Sequence, residues 1–295
     1  MKIRLFSLVY FSICISLSLL SADQLPKTEP QIIEEIVQFY KQKYDAHIAD
    51  PEIDEIAQEA LEKCGIRQPI IILQNDTLDT LSNNAHICGD PLFKNSQLVM
   101  VIGTKRTYLD QMIASIYHEI GHIVNNDVSI EIASKKIQHN KKALMLSALS
   151  MPATYFLLSK HVRSTPLKFA ASAVSGLAIF TNHFLNSQYK KKEIEQRADR
   201  FMYENLIKHN KLTTAIGHIS DYLFNEEKRK SLPWFATGYP TDLERAKMGI
   251  TILQEQGIDI SELLHNLPEE LDEGIKKTFP QQIKKWFPHL TKETK

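Results

Sequence analysis

The sequence has no surplus of either charge. Its 35 lysines and arginines are matched by 35 aspartates and glutamates, so there is no global basic field to gather nucleic acid, and that class of partner is set aside. It has no internal repeat and no low-complexity segment, which excludes a solenoid and a linker-like chain. Cysteine is scarce, with Cys14, Cys64 and Cys88 the only three. What remains is a chain of 295 residues, 43% of them hydrophobic, enough for one large domain or two small ones with a real core.

The first residues, MKIRLFSLVYFSICISLSLLSADQ, place Lys2 and Arg4 before an uncharged run from Leu5 to Leu20 and the small pair Ser21-Ala22. That is the layout of a secretory signal over residues 1–22, with an uncleaved anchor as the alternative. In either case residues 23–295 are expected to be exported, to the periplasm or the exported face of a membrane. Loss of Cys14 with the signal would leave Cys64 and Cys88 as an even pair in an oxidising compartment. A disulfide between them would close a loop of about 25 residues and stabilise by roughly 3 kcal/mol. Two unpaired buried thiols are the other reading.

Helical spacing of Ile32, Ile33, Ile36, Val37 and Tyr40, resumed after Pro51 by Ile53, Ile56, Ala57, Ala60 and Leu61, predicts helix from Ile32 to Lys63, closed by Gly65. Ile70-Ile71-Ile72-Leu73 and Gln97 to Gly103 predict two strands, with Asn84-Ala85-His86-Ile87-Cys88 as a candidate edge strand between them. A small sheet thus precedes the stretch that sets the problem, Tyr117-His118-Glu119-Ile120-Gly121-His122.

Thr107 and Asp110 fit a capping box, and Leu109, Met112, Ile113, Ile116, Ile120 and Ile123 mark one apolar helical face. His118 and His122, four apart, share the other side, as two zinc-ligating imidazoles require. A catalytic zinc needs a third protein ligand and an open position. Two uncharged runs follow, Ala143 to Ser159 and Phe169 to Tyr189, giving an apolar helical hairpin over 143–189 near the length that crosses a bilayer. It is either membrane-inserted or a pair of core helices. Beyond it lies Glu193 to Arg200, EIEQRADR, in which Glu195 and Asp199 share a helix face and Ala198 is small enough for a close crossing. Glu195 is taken as the third ligand, and Asp199 as the carboxylate that accepts a ring N–H from a ligating histidine. Thr241 to Gln254 reads as another amphipathic helix, introduced by Pro240.

HEIGHIVNND, two apolar helices, then an E-x-x-A-D segment resembles the zinc metallopeptidases of the HtpX heat-shock protease family, a gluzincin group that includes the prenyl-protein (CAAX) proteases and periplasmic quality-control relatives. The resemblance runs from about Ile70 to Lys247. It implies a mainly helical α+β, zincin-like metallopeptidase domain over 23–295 and zinc endopeptidase activity on protein or peptide substrates, such as misfolded or immature envelope proteins. It also implies one Zn2+ held by His118, His122 and Glu195, with Glu119 as general base. Asn84, Ala85 and His86 would correspond to the edge strand to which an extended substrate adds. A non-proteolytic chaperone that keeps the fold is the alternative. The chain departs from the family where a histidine often precedes a proline in an H-P-x-x-x-x-R segment. Here Gly238-Tyr239-Pro240 leads to Arg245. Tyr239 is expected to donate to the oxyanion, with Arg245 as a second candidate.

Overall fold

The computed structural model describes residues 29–79, 86–89, 98–105, 109–127, 130–159, 162–229 and 233–291. The expected secretory signal, Asn84, Ala85 and the capping residue Thr107 lie outside them. The chain divides into two compact units, Met1–Asp45 and Ala46–Lys295. In the first, helix α1 (Glu29–Tyr44) carries Tyr40 stacked on Tyr44 at 5.4 Å between centroids.

Helix was expected throughout Ile32 to Lys63, and the chain breaks it. Asp45 adopts a left-handed φ of 53°, which stops α1, and His47–Ile48 form strand β1 before α2 (Pro51–Lys63). Local periodicity cannot register a two-residue strand that exists only because its partner lies elsewhere. Gly65, at φ 74°, ends α2 as expected.

The sheet has the order β1-β2-β4-β3, with β2 (Ile70–Asp79), β3 (His86–Gly89) and β4 (Leu98–Lys105). β2 and β4 are parallel, in the register Ile72↔Met100, while β1 and β3 flank them antiparallel. Val99, Met100, Val101 and Ile102 are all buried, so β4 is covered on both faces and reads as a continuous apolar run. β2 continues past Leu73, the expected end, through a shift of register between Asn75 and Asp79. There Asn75 Oδ1 accepts from the Thr77 amide at 2.8 Å. β3 lies at one edge of the sheet.

Helix α3 (Leu109–Val124) buries Ile116, Tyr117 and Ile120 in the main core with Met202, Leu206, Ile216, Ile219 and Ile250. These come from α5 (Thr165–Lys208), α6 (Leu212–Arg229) and α7 (Asp242–Glu255). A capping box between Thr241 and Glu244 starts α7, which fixes where Arg245 falls. Two further helices, α8 (Ile260–His265) and α9 (Glu273–Trp286), close on this core through Leu263, Phe279 and Ile283.

Between α3 and the core half of α5 the chain makes the hairpin of α4 (Ile130–Ser159) and the first half of α5. The two helices meet through small and hydroxyl residues. Ser147 Oγ donates to the Gly176 carbonyl at 2.9 Å, and Thr154 Oγ1 and Ser175 Oγ lie 2.9 Å apart. The outer faces are apolar and exposed, Phe156 by 71% and Leu157 by 73%. Among the described residues no helix is long and apolar enough to cross a membrane. The hairpin's second arm was expected to precede a separate ligand helix. Instead α5 runs unbroken for 44 residues, because Lys190-Lys191-Lys192, for all their charge, are good helix formers.

Candidate metal centre

Two helices cross at the site with almost no space between them. A Cβ on Gly121 would stand 2.9 Å from the Ala198 Cα and 3.0 Å from its carbonyl oxygen, so glycine is needed on α3 and a small residue on α5. That contact brings HExxH and EQRAD together. The size of Ala198 marks it in the sequence as a crossing residue, whereas its counterpart Gly121 carries no local mark.

Three donor atoms converge at this crossing. His118 Nε2 lies 3.2 Å from His122 Nε2 and 3.5 Å from Glu195 Oε2, and His122 Nε2 lies 4.0 Å from Glu195 Oε2. Tetrahedral ligands about 2.0–2.1 Å from a zinc ion stand roughly 3.3 Å apart, so the triad has the chemistry and spacing of a zinc site. Glu119 also comes close, its carboxylate, His118 and His122 each placing one ligand atom within 4.8 Å of the others. Glu195 is the better candidate for a third ligand, because its oxygen faces both ring nitrogens and its carboxylate is held from behind.

What holds it is a buried ionic network. Asp199 Oδ1 accepts from His118 Nδ1 at 2.9 Å and from Arg245 Nη1 at 2.9 Å, while Arg245 Nη2 donates to Glu195 Oε2 at 3.3 Å. The bond to Asp199 puts the His118 proton on Nδ1 and leaves Nε2 to face the ligand triad. Burial opposes charge on His118, yet Asp199 and Glu195 outweigh it and push the ring up to about 10. Both carboxylates are themselves held low against burial, Asp199 by Arg245 and His118, Glu195 by His118 and then Arg245 and His122. A divalent cation among these three donors would meet a site already arranged for positive charge.

Arg245 is only 2% exposed, with its guanidinium committed to Asp199, Glu195 and Tyr222. It cannot also reach a substrate oxyanion. The expected oxyanion role is therefore corrected to that of a clamp behind the ligands. Asp127, the last residue of HEIGHIVNND, places Oδ2 3.5 Å from His122 Nδ1, an ion-pair rather than a hydrogen-bond distance, and Oδ1 accepts from Arg197 at 2.6 Å. Neither Asp127 nor Arg197 was assigned a role from sequence, although each ligating histidine needs some acceptor at its second nitrogen.

A family model for peptidase family M48 matches residues 47–253, more than two thirds of the chain, from β1 into α7. The chain belongs to peptidase family M48. No curated protein and no solved structure matches it. M48 enzymes are zinc metallopeptidases, so membership carries metallopeptidase activity and agrees with the HtpX-like resemblance. The matched span takes in His118, Glu119, His122, Glu195, Asp199 and Arg245.

The remaining expected residues fall as follows. Tyr239 is 39% exposed, and the Lys191 ammonium sits 3.5 Å above its ring centroid. Lys191 lies one turn before Glu195 on α5. His86 opens the edge strand β3. The Cys64–Cys88 bridge is a further correction: Cys64 is a free thiol that points at Asn205 Oδ1, 4.0 Å away, and burial pushes it up to about 11. Its position at the C-terminal cap of α2 turns it toward α5. His209 stacks on Tyr117 at 6.0 Å between ring centroids.

Proposed function

We propose that the protein is a zinc-dependent endopeptidase whose metal is held by His118, His122 and Glu195. The observation that carries this reading is the convergence of those three donor atoms beside the buried carboxylate of Glu119. Zinc, when bound, supplies a Lewis acid that polarises the scissile carbonyl and acidifies water toward neutral pH. Glu119 takes the proton of the attacking water and delivers it to the leaving amine. Asp199 holds the ring of His118 through its Nδ1–H, the Asp127 carboxylate stands behind the ring of His122, and Tyr239 donates to the developing oxyanion. The edge strand β3 is where an extended substrate would add by main-chain hydrogen bonds.

The substrates in this reading are misfolded or immature proteins of an envelope, met by an exported enzyme at a membrane surface. The inverted hairpin supports it: hydroxyls and glycine face inward and large apolar side chains outward, the distribution suited to an apolar surrounding.

The test is zinc content and casein hydrolysis of wild type beside Glu119→Gln. Wild type should hold about one zinc per chain by the stoichiometry of a three-ligand catalytic site. The variant should keep the metal and lose activity by about 10²–10⁴-fold, the usual worth of a general base. Absence of zinc from wild type, or an active variant, overturns the reading.

A further inference from the structure

Arg245 has a third acceptor that the mechanism does not use. The Tyr222 hydroxyl accepts from Arg245 Nη1 at 3.0 Å and lies 3.1 Å from His218 Nε2, one turn away on α6. An oxygen that already accepts from the guanidinium is best satisfied by donating its own proton to His218, and the neutral ring can accept it. Nε2 of that ring is then the unprotonated nitrogen and Nδ1 carries the hydrogen. Burial, opposed by Asp199 and reinforced by Arg245, lowers the His218 pKa to about 3, in keeping with a neutral acceptor.

That tautomer leaves something to explain. His218 Nδ1 is buried and has no hydrogen-bond partner among the described residues. A buried unpaired N–H costs stability, so the imidazole is not there for its own satisfaction. Its use is the acceptor it presents to Tyr222. The helices are close enough for this because α7 carries Gly249, where a Cβ would come within 2.7 Å of Ile219 and of Tyr203.

We propose that His218 and Tyr222 are positioning residues for the metal ligands: the pair fixes the rotation of the Arg245 guanidinium, and with it the carboxylates of Asp199 and Glu195. An arginine that held Asp199 alone could still turn about its long axis. With Nη1 shared between Asp199 and Tyr222, Nη2 is aimed at Glu195 Oε2. One buried clamp thus sets both the carboxylate behind His118 and the third ligand. Packing does not account for the hydroxyl. The ring contacts of Tyr222, with His218 at 4.6 Å and with the Arg245 guanidinium carbon at 5.6 Å, would all survive in phenylalanine.

This proposal rests on the zinc reading, and the experiment separates the two. Zinc dissociation constants are measured by chelator competition, alongside thermal unfolding of the metal-free protein, for wild type, Tyr222→Phe, His218→Leu and His218→Gln. Tyr222→Phe and His218→Leu should each weaken zinc binding by about tenfold, the scale of outer-shell partners. His218→Gln, whose amide oxygen can reach the place of Nε2, should recover most of the loss. Equal affinity in wild type and Tyr222→Phe overturns the proposal. Should Tyr222→Phe not fold, equal affinity in the leucine and glutamine variants overturns it instead. A wild type without zinc overturns the metal reading, and this proposal with it.

Discussion

The two halves of α5 are built on opposite rules. Toward its C-terminus the helix buries charge: Asp199 is wholly enclosed, and it and Glu195 are answered by His118 and Arg245. Toward its N-terminus it buries hydroxyls and a glycine and leaves Phe169, Val174 and Leu177 outside. In the first half the environment is made by the protein itself, so every buried charge needs a named partner. In the second, Phe169 meets Tyr155 across the hairpin while Val174 and Leu177 face outward, and this half contributes little to the core that holds the site. The lesson is that one continuous helix can serve a rigid centre and an outward-facing surface, because helical hydrogen bonding is indifferent to what the side chains do.

The comparison breaks most visibly at Arg245. Arg245→Met would strand the carboxylates of Asp199 and Glu195 without their buried cation, and urea unfolding should show a loss of about 3–5 kcal/mol. A loss below about 1 kcal/mol would place the two halves on the same footing. Next comes the crossing itself. Gly121→Ala puts a methyl against the Ala198 backbone at 2.9 Å and should cost about 1–3 kcal/mol by the same assay, a loss that a neutral result would refute. The smallest effect belongs to the hairpin, where Leu157→Ser should stay within about 0.5 kcal/mol of wild type. A large destabilisation there would mean that the outward leucine packs on something within the fold.

Much of this was legible beforehand, for physical reasons. Helical spacing puts His118 and His122 on one face and Glu195 and Asp199 on another, and pairing E-x-x-A-D with HExxH singled out these four before any coordinates, while the core strands were marked by their apolar runs. What escaped depended on a partner far along the chain. β1 exists because of β2, and the role of Arg245 is set by two carboxylates 46 and 50 residues away. His218 and Tyr222 stand four apart on an ordinary amphipathic helix, where nothing local separates a hydrogen-bond relay from core packing. The Cys64–Cys88 expectation came from counting thiols, and counting carries no direction: the Cys64 side chain points to Asn205.

The unbroken length of α5 also acts as gearing. Thr165 at the hairpin tip is 33 residues from the tight contact at Ala198, whereas Glu195 is only three residues from it. Taken as a straight rod pivoting there, the long arm is about 50 Å and the short one about 4.5 Å. A sweep of about 5 Å at the tip then reaches the ligand carboxylate as roughly 0.5 Å, the tolerance within which a catalytic group keeps its geometry. The hairpin can swing while the donor triad stays still.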